Sequence, residues 1–405
     1  MNVCIVGLGY MGLPTALLIA SKDCRVTGYD IDKRKIKLLN QGQLPFDEDG
    51  LHELYEKNKQ YFYATDTLVG SEPDVYIISV PTPFTADKKC DLSHVVSAAE
   101  YIAPHVKEGA LVILESTVSP GTTINVVKPI IEAAGHKINE DFFLAYVSEK
   151  AIPGNTLYEM VHNDRIIGAF NEIAAEKTKQ IYSKFVKGIL HFTDCTTAET
   201  VKLVENTYRD INIAFANELA NICCALGINV WDVIKYANRH PRVNVHSPGP
   251  GVGGHCIAID PWFLIEDHLG PMVQMGRRIN DSRPDHVADK ILEICKKRPM
   301  KFSRVAVLGV AYKPDVDDAR ESPAIEIIAN LCKHGISVSI HDPFVKIFPY
   351  QISTNLDDII ASADIIVIVT DHKIYRENPS KFDGKIVIDT RNIGIPNSIL
   401  LGRDF

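Results

Sequence analysis

Residues 2–30 read NVCIVGLGYMGLPTALLIASKDCRVTGYD, and this stretch decides the fold of the first half of the chain. The apolar run 2–6 predicts a strand, and residues 14–20 predict a helix. Between them, residues 7–12 form the pattern GLGYMG. A strand, a glycine-rich turn and a helix in this order are typical of a Rossmann domain that binds a dinucleotide.

The three glycines of this turn are expected to have different tasks. Gly7 makes the turn, Gly9 lets a pyrophosphate approach the backbone, and Gly12 allows the helix to pack closely. The next strand, 25–29, ends at Asp30, whose carboxylate can accept hydrogen bonds from an adenosine ribose. These residues predict a cofactor site in the N-terminal domain.

The expected cofactor is NAD rather than NADP. A carboxylate at Asp30 disfavours the 2′-phosphate of NADP. The neighbouring Lys33, Arg34 and Lys35 point the other way, and Lys35 could instead contact the ribose or a phosphate. A solvated helix start is the alternative explanation for Asp30 and Lys35.

Further apolar runs predict buried strands of one parallel sheet at 74–80, 110–115 and 143–147. Parallel sheets bind ligands at the carboxyl ends of their strands. Polar side chains that follow these strands are expected at that edge: Thr82, Thr117, Glu149 and Lys150. The two threonine hydroxyls are candidate cofactor contacts, with turn or cap chemistry as the alternative for either.

Residues 196–226 form the longest helical pattern in the chain, without an internal Pro or Gly. Thr196 or Thr197 is the expected N-cap, and Gly227 follows as the C-cap. A helix of this length between two domains suits a central spine and a contact between subunits. The pattern predicts a central helical domain that forms a dimer.

Polar residues recur on one face of this helix, where Lys202, Asn206 and Arg209 stand at i, i+4 and i+7. Such a stripe is often only solvated, but its place just before a glycine-rich cysteine loop favours a functional role. The segment with His240 and Arg242 leads into that loop. Its bases could bind phosphate or reach the site of a neighbouring subunit.

The cysteine loop is the stretch 249–256, which reads GPGVGGHC. Its glycines permit positive φ and let backbone N–H groups approach a ligand closely. These N–H groups and the flanking His255 favour the thiolate of Cys256, which is the nucleophilic form. A buried, inert cysteine is the alternative, but the glycine density and Asp260 favour the nucleophile.

A second α/β pattern follows the cysteine loop. Its predicted elements are strands at 304–308, 337–341, 365–369 and 385–388 and a helix at 323–334. This half lacks the full glycine fingerprint, so it is expected to bind a nucleotide other than the dinucleotide. Lys313, Arg320 and Arg391 are candidate phosphate or ribose contacts.

A chain of 405 residues is too long for one core, and the patterns predict an α/β protein of three domains, 1–190, 191–297 and 298–405. The nine cysteines are scattered without CxxC spacing, so neither a metal site nor a disulfide framework is expected. The net charge of −8 argues against nucleic-acid binding. No apolar run is long enough to span a membrane, and the protein is expected in the cytoplasm.

Together these features predict the oxidation of a nucleotide-linked substrate. Oxidation of an aldehyde to an acid by hydride transfer requires a nucleophile that first adds to the carbonyl. Cys256 would form a hemithioacetal and then a thioester that water hydrolyses. Lys202 would act as general base or proton relay and then, with Asn206, stabilise the oxyanion, while Asp260 would orient Lys202 or water.

Eight motifs resemble those of the UDP-glucose/GDP-mannose dehydrogenase family. They are GLGYMG, VPTP, EST, KLVENTYRDINIAFANEL, RHPRVN, GPGVGGHCIAIDPWF, GRRINDSRP and YKPDVDDARESPA. The resemblance implies an NAD-dependent, four-electron oxidation of the C6 alcohol of a nucleotide sugar to a uronate, with two NAD per turnover. It also implies an N-terminal Rossmann domain for NAD, a Rossmann-like C-terminal domain for the UDP-sugar, and a homodimer through the central helix.

The resemblance implies roles for individual residues as well. Cys256 matches the nucleophile of the family, and Lys202 matches its proton donor or acceptor. The residues that match cofactor contacts are Tyr10, Met11, Asp30, Lys35, Thr82, Thr117 and Arg320. The residues that match substrate contacts are Lys150, Ala151, Lys202, Asn206, Arg209, His240, Arg242, Gly253, Tyr312, Lys313 and Arg391. His240 and Arg242 would reach the partner's site.

One branch of the family fits best. The wording GGHC with an Ile-Asp-Pro-Trp-Phe tail is similar to the branch that oxidises UDP-N-acetyl-D-mannosamine for surface polysaccharides. That branch commonly reads Pro-Glu-Arg-Val where residues 148–151 read Ser-Glu-Lys-Ala, so a planar arginine becomes a point charge. UDP-glucose enzymes place a second glutamate where this chain has Pro153, which leaves Glu149 and Thr117 as candidates to position the hydrolytic water.

Three alternatives compete with this interpretation. The same chemistry could act on UDP-glucose, UDP-N-acetylglucosamine or GDP-mannose. A two-electron β-hydroxyacid dehydrogenase also pairs a Rossmann domain with a long helix, and it would ignore the loss of Cys256. A non-catalytic NAD-binding scaffold is disfavoured by the presence of Cys256, Lys202 and Asn206.

Overall fold

The computed structural model describes residues 1–70, 72–152, 154–254, 256–266, 269–297 and 304–405. Pro153 and His255, which the sequence analysis uses, lie outside these residues. The chain divides into two compact units. The first comprises Met1–Glu205 with Trp262–Glu266, and the second comprises Asn206–Pro261 with Asp267–Phe405.

The first unit contains an eight-stranded sheet in the order β3-β2-β1-β4-β5-β6-β7-β8. Its strands are β1 (Asn2–Val6), β2 (Arg25–Tyr29), β3 (Phe62–Thr65), β4 (Val75–Ile78), β5 (Ala110–Leu114), β6 (Phe142–Val147), β7 (Arg165–Ala169) and β8 (Leu190–Thr193). All neighbours are parallel except β6 and β7, which are antiparallel. The chain leaves β1 for one side of the sheet and returns to the other side at β4, and such a switch point creates a ligand crevice.

Helices cover both faces of this sheet. They are α1 (Gly12–Ala20), α2 (Lys33–Asn40), α3 (Leu51–Asn58), α4 (Ser93–Ile102), α5 (Lys128–Ala133), α6 (Thr156–His162) and α7 (Glu172–Tyr182). Val3 and Ile5 belong to the core on one face, and Cys4 and Val6 belong to the core on the other. Burial on both faces explains why the predicted strands are continuous apolar runs rather than alternating ones.

The long helix α8 spans Cys195–Leu226. Thr196 and Thr197 lie inside its first turn, so the predicted N-cap is wrong. Asp194 supplies the cap instead, because its carboxylate accepts the Thr197 N–H at 2.9 Å and the Thr197 hydroxyl at 2.6 Å. The predicted end is confirmed: Gly227 has a φ of +69° and donates its N–H to the Cys224 carbonyl at 3.1 Å.

The second unit contains a five-stranded parallel sheet in the order β10-β9-β11-β12-β13. Its strands are β9 (Arg304–Leu308), β10 (Ser337–His341), β11 (Ile365–Ile368), β12 (Ile386–Asp389) and β13 (Ile399–Leu400). The remaining helices of the chain are α9 (Val230–Ala237), α10 (Asp260–Leu264), α11 (Pro271–Asp281), α12 (Arg283–Lys296), α13 (Pro323–Lys333), α14 (Leu356–Ser362) and α15 (Lys373–Arg376). Side chains from the second half of α8 join α9, α12, α13 and the sheet in one core. The predicted second α/β domain is therefore confirmed, with β13 as an additional strand.

Across the described ranges, the structure contains no helix with both the length and the apolar character needed to cross a membrane.

Candidate functional site

The glycine turn after β1 has the geometry of a dinucleotide site. Gly7 has a φ of +99°, and a side chain there would collide with the Ser79 carbonyl just beyond β4. A side chain at Gly12 would collide with the Gly7 carbonyl. Gly9, in contrast, has no atom of the described residues within 4 Å of the position a Cβ would take. Gly7 and Gly12 are thus required by packing, whereas Gly9 leaves the space that a pyrophosphate needs, so the residues present fit NAD.

Asp30 braces this turn from the end of β2. Its Oδ2 accepts the Leu8 N–H at 2.9 Å and pairs with Lys35 Nζ at 3.1 Å, and its Oδ1 accepts the Asp32 N–H at 2.8 Å. The side chain is almost completely buried. The acid that the sequence analysis assigned to the ribose therefore also fixes the backbone of the glycine turn.

The basic residues that pointed toward NADP are all paired with carboxylates. Lys35 pairs with Asp30, Arg34 Nε lies 3.3 Å from Asp32 Oδ1, and Lys33 Nζ lies 3.6 Å from Asp66 Oδ2. Because neighbouring carboxylates offset these positive charges, the three residues give less support to binding of the 2′-phosphate of NADP.

The other predicted cofactor contacts of the first unit lie near the same edge of the sheet. Tyr10 is half exposed, and its ring centroid is 4.4 Å from that of Phe46. Met11 precedes α1 and packs against the core. Thr82 donates its hydroxyl to the Thr117 carbonyl at 2.6 Å, so this hydroxyl has the turn role given above as the alternative. It can still accept a hydrogen bond from a ligand.

Two buried carboxyl groups lie behind this edge. Glu149 accepts the N–H groups of Lys150 and Ala151, each at 2.6 Å, and forms an ion pair with the buried Arg165. Both Glu149 oxygens therefore have partners, and the main contact of this side chain is structural. Its predicted role in positioning water stays a prediction.

The second carboxyl group belongs to Glu115, in the EST motif. It accepts hydrogen bonds from Tyr182 Oη at 2.9 Å and Thr15 Oγ1 at 3.3 Å. Burial, and then the neighbouring Glu149 charge, raise the pKa of Glu115 above its usual range. Sequence reasoning missed this cluster, because Arg165 lies fifty residues beyond Glu115 and no local pattern links them.

Residues predicted to contact the substrate are distributed over both units. In the first unit, Lys150 forms an ion pair with Glu205, Ala151 packs against the core, and Lys202 on α8 is buried. In the second unit, Asn206 donates from Nδ2 to Asp260 Oδ2 at 2.6 Å, and both side chains are buried. Asp260 was predicted to orient Lys202 or water, and its contact with Asn206 was not predicted.

Cys256 is exposed at the start of a turn that leads into α10. Its carbonyl accepts the N–H groups of Ile259 at 3.1 Å and Asp260 at 2.8 Å. The carboxylate that orients Asn206 thus belongs to the same turn as the thiol. The alternative interpretation, that Cys256 is a buried and inert cysteine, is therefore wrong.

Gly253 and Gly254, which precede Cys256, pack against the segment that follows β9. A Cβ at Gly253 would lie 2.6 Å from the Glu321 carbonyl oxygen and 2.9 Å from Tyr312 Cβ. Gly254 has a φ of +84°, and its N–H donates to the Arg320 carbonyl at 3.0 Å. These contacts bring the predicted residues Gly253 and Tyr312 together.

The other predicted residues of the second unit differ in exposure. Arg391 donates from Nε to the Val369 carbonyl at 2.8 Å, and burial lowers the pKa of its guanidinium. Arg320 is exposed and forms an ion pair with Asp318. The remaining predicted residues of this unit lie at or near the surface: Arg209, His240, Arg242 and Lys313. His240 and Arg242 contact each other, with their side-chain nitrogens 3.4 Å apart.

The class of protein follows from the two sheets. The first sheet carries the glycine turn and Asp30, which are the features of an NAD site. The loop with the exposed thiol of Cys256 packs against the segment that follows β9 of the second sheet. This combination is expected of a dehydrogenase whose substrate carries a nucleotide of its own. Residues 1–186 match the NAD binding domain of the UDP-glucose/GDP-mannose dehydrogenase family, residues 196–281 match its central domain, and residues 306–395 match its UDP binding domain. The chain belongs to this family and is an NAD-dependent nucleotide-sugar dehydrogenase.

Individual relatives resemble the chain over nearly its full length. A UDP-N-acetyl-D-mannosamine dehydrogenase from Methanococcus maripaludis is 44% identical, over 97% of this chain and 93% of its own. An NDP-N-acetyl-D-galactosaminuronic acid dehydrogenase from Ralstonia nicotianae is 39% identical, over 97% and 96%. The solved structure of a UDP-D-ManNAc dehydrogenase from Pyrococcus horikoshii is 38% identical, covers 100% of both chains and superposes with a TM-score of 0.92.

Proposed function

We propose that this enzyme oxidises the C6 alcohol of UDP-N-acetyl-D-mannosamine to the uronate, for surface polysaccharide synthesis in the cytoplasm. The main evidence for the four-electron reaction is the exposed thiol of Cys256, which follows a closely packed glycine loop. The similarity to UDP-N-acetyl-D-mannosamine dehydrogenases supports the choice of sugar. The match to all three parts of the family disfavours a two-electron β-hydroxyacid dehydrogenase and a scaffold.

The other cysteines support this assignment of the nucleophile by contrast. Burial raises the pKa of the Cys4, Cys90 and Cys195 thiols to about 12 each, so these thiols stay protonated and unreactive. Cys332 is exposed, but it lies in the last turn of α13, away from any glycine loop. Cys256 is therefore the best nucleophile candidate among the described residues.

The proposed reaction has two oxidations and one hydrolysis. NAD, held at the glycine turn after β1, would supply the hydride acceptor in each oxidation. In the first, Lys202 takes the proton of the C6 hydroxyl, which leaves an aldehyde. The Cys256 thiolate then adds to the aldehyde carbon, and the hemithioacetal loses a proton and a hydride to become a thioester. Water attacks the thioester carbonyl and expels the thiolate, which gives the carboxylate.

Asn206 and Asp260 support the tetrahedral steps. Asp260 accepts one N–H of the Asn206 amide, which fixes the orientation of the amide so that its second N–H can donate to the developing oxyanion. Lys202 supplies the second donor. Glu149 and Thr117 are the proposed residues for positioning the hydrolytic water.

We assign the remaining predicted residues to the two ligands. The proposed NAD contacts are Gly7, Gly9, Tyr10, Met11, Gly12, Asp30, Lys35, Thr82, Thr117 and Arg320. The proposed UDP-sugar contacts are Lys150, Ala151, Lys202, Asn206, Arg209, His240, Arg242, Gly253, Tyr312, Lys313 and Arg391. The proposed domain boundaries are 1–190, 191–297 and 298–405.

The experiment that tests this function is the stoichiometry of NADH per sugar consumed. We expect about two NADH per UDP-N-acetyl-D-mannosamine, since one alcohol and one aldehyde are oxidised. UDP-glucose, UDP-N-acetylglucosamine, UDP-N-acetylgalactosamine and GDP-mannose are compared in parallel by kcat/KM. A ratio of one NADH would overturn the cysteine mechanism, and a higher kcat/KM for another sugar would overturn the substrate.

We also propose a homodimer through α8. From Asn206 onward, this helix exposes Tyr208, Phe215, Ile222 and Leu226, whose spacing of seven, seven and four residues places them on one stripe. An exposed apolar stripe of this kind is typical of a protein interface. The exposed His240 and Arg242 would reach the site of the partner.

Replacement of Phe215 by aspartate is expected to convert the dimer to monomers. The buried carboxylate would have no partner in the interface. Light scattering coupled to gel filtration should show the mass fall from twice 45.0 kDa toward 45.0 kDa. Ile347→Asp makes the same change at a more exposed position in the second unit and should leave the mass unchanged. A Phe215→Asp variant that stays dimeric would exclude this face as the interface.

A further inference from the structure

A buried arginine, Arg283, begins α12. Arg283 is 2% exposed, and none of the ion pairs among the described residues includes it. Burial lowers the pKa of its guanidinium to about 10. A lone buried cation is strongly unfavourable, so its side chain is expected to serve a purpose that packing alone does not.

The guanidinium contacts the start of the cysteine loop. Its Nε donates to the Gly249 carbonyl at 3.4 Å, and its Nη1 donates to Asn221 Oδ1 at 2.7 Å near the end of α8. Its Nη2 is buried and has no hydrogen-bond partner in the part of the chain that the structure describes. Arg283 thus links α8, α12 and the backbone at Gly249.

Gly249 has further close neighbours at its N–H group and at its Cα. Its N–H donates to Asn217 Oδ1 at 2.9 Å. The Asn217 amide is itself fixed, because its Nδ2 donates to Asn280 Oδ1 at 2.9 Å. A Cβ on Gly249 would lie 2.9 Å from Arg391 Nη1. Hydrogen bonds therefore hold Gly249 at both its N–H and its carbonyl, and Arg391 occupies the space beside its Cα, seven residues before Cys256.

We propose that Arg283 is a positioning residue for the nucleophile. By holding the Gly249 carbonyl, it sets the course of the loop that presents Cys256 to the substrate. This inference rests on the proposed function, in which Cys256 takes part only in the oxidation of the aldehyde. Loss of the Arg283 contact should therefore slow the second oxidation and spare the first.

A purely structural role gives a different expectation. If Arg283 only stabilised the packing of α12, its loss would lower the thermal midpoint and reduce both oxidations by the same factor, through the fraction of folded enzyme. The ratio of the two oxidations separates the two roles.

The test uses Arg283→Met, which replaces the aliphatic stem of the side chain but removes its charge and donors, and Arg283→Lys, which keeps the charge but not the guanidinium. Arg25→Met is the matched control at an exposed arginine. For each full-length variant, the UDP-N-acetyl-D-mannosamine 6-aldehyde is oxidised with NAD and, separately, reduced with NADH, which is the reverse of the first oxidation. We expect a loss of about 10- to 100-fold in aldehyde oxidation for both Arg283 variants, and reduction within about twofold of the parent enzyme.

A second measurement does not depend on the sugar. The rate at which iodoacetamide alkylates Cys256 is followed against pH in a Cys332→Ser background, which removes the other exposed thiol. We expect a changed pH profile in the Arg283 variants and the parent profile in the control. If Arg283→Met does not fold, Arg283→Lys decides the question, because it also lacks the planar donor pair.

The role of Arg283 would be overturned if its variants lost aldehyde oxidation and aldehyde reduction by equal factors. It would also be overturned if they kept the activity and the Cys256 alkylation profile of the parent enzyme. Failure of the proposed function has a different signature. In that case Cys256→Ser would still convert the aldehyde to the acid, whatever the behaviour of the Arg283 variants.

Discussion

Cys256→Ser is expected to abolish formation of the uronate while slow oxidation of the alcohol continues. The first oxidation needs a base and a hydride acceptor, but the second also needs a nucleophile that forms the hemithioacetal. A serine hydroxyl is a far weaker nucleophile than a thiolate, because it stays protonated near neutral pH. Loss of a covalent nucleophile typically costs about 10⁴-fold or more in kcat.

The measurement is the ratio of NADH to sugar, together with mass spectrometry of the product. The variant should give at most one NADH per sugar, and the product should be the aldehyde rather than the acid. Cys332→Ser is the matched control, because it makes the same change at the other exposed cysteine. Full four-electron turnover by Cys256→Ser would rule out the covalent mechanism.

Gly253→Ala is expected to cause the second largest loss. The added methyl group would lie 2.6 Å from the Glu321 carbonyl oxygen, 2.9 Å from Tyr312 Cβ and 3.1 Å from Pro323 Cδ. Glu321 already has a φ of +51°, and the next residue caps α13, so this backbone has little freedom to move. The loop itself must shift, and a shift of about 1 Å at a reacting group can cost about 100-fold in rate.

Steady-state kinetics and thermal unfolding together test this expectation. We expect kcat/KM to fall by about 100-fold and the free energy of unfolding to fall by about 1–3 kcal/mol from overpacking. Gly276→Ala is the control, since its Cβ would meet its nearest neighbour, Ile211, at an ordinary 3.5 Å. A Gly253→Ala enzyme with parent kcat/KM would show that the loop accommodates the methyl group without moving Cys256.

The features that sequence predicted best are local ones. The strand before Gly7, the turn and the position of Asp30 all lie within one stretch of thirty residues, where periodicity and turn chemistry determine the structure. The N-cap of α8 shows the limit even there. Thr196 and Thr197 are good caps, but the preceding Asp194 takes the position because its carboxylate binds both groups of Thr197.

Contacts between distant residues could not be predicted in this way. Asn206 and Asp260 are 54 residues apart, and the carbonyl of Glu321 meets a glycine 68 positions earlier. The pairing of Glu149 with Arg165 depends on the antiparallel strand β7, a short run that sequence periodicity did not identify. The identity of such residues is visible in the sequence, but their partners depend on the tertiary fold.

The bracing of the glycine turn by Asp30 limits how the cofactor preference of this enzyme could be redesigned. Exchange of the acid for a small polar residue would remove the carboxylate that disfavours a 2′-phosphate and would release Lys35 to bind one. The same exchange would remove the acceptor of the Leu8 N–H, on which the turn around Gly9 depends. Cofactor selectivity and the integrity of the pyrophosphate site are therefore coupled through one carboxylate, and a redesign has to supply a new acceptor for that amide.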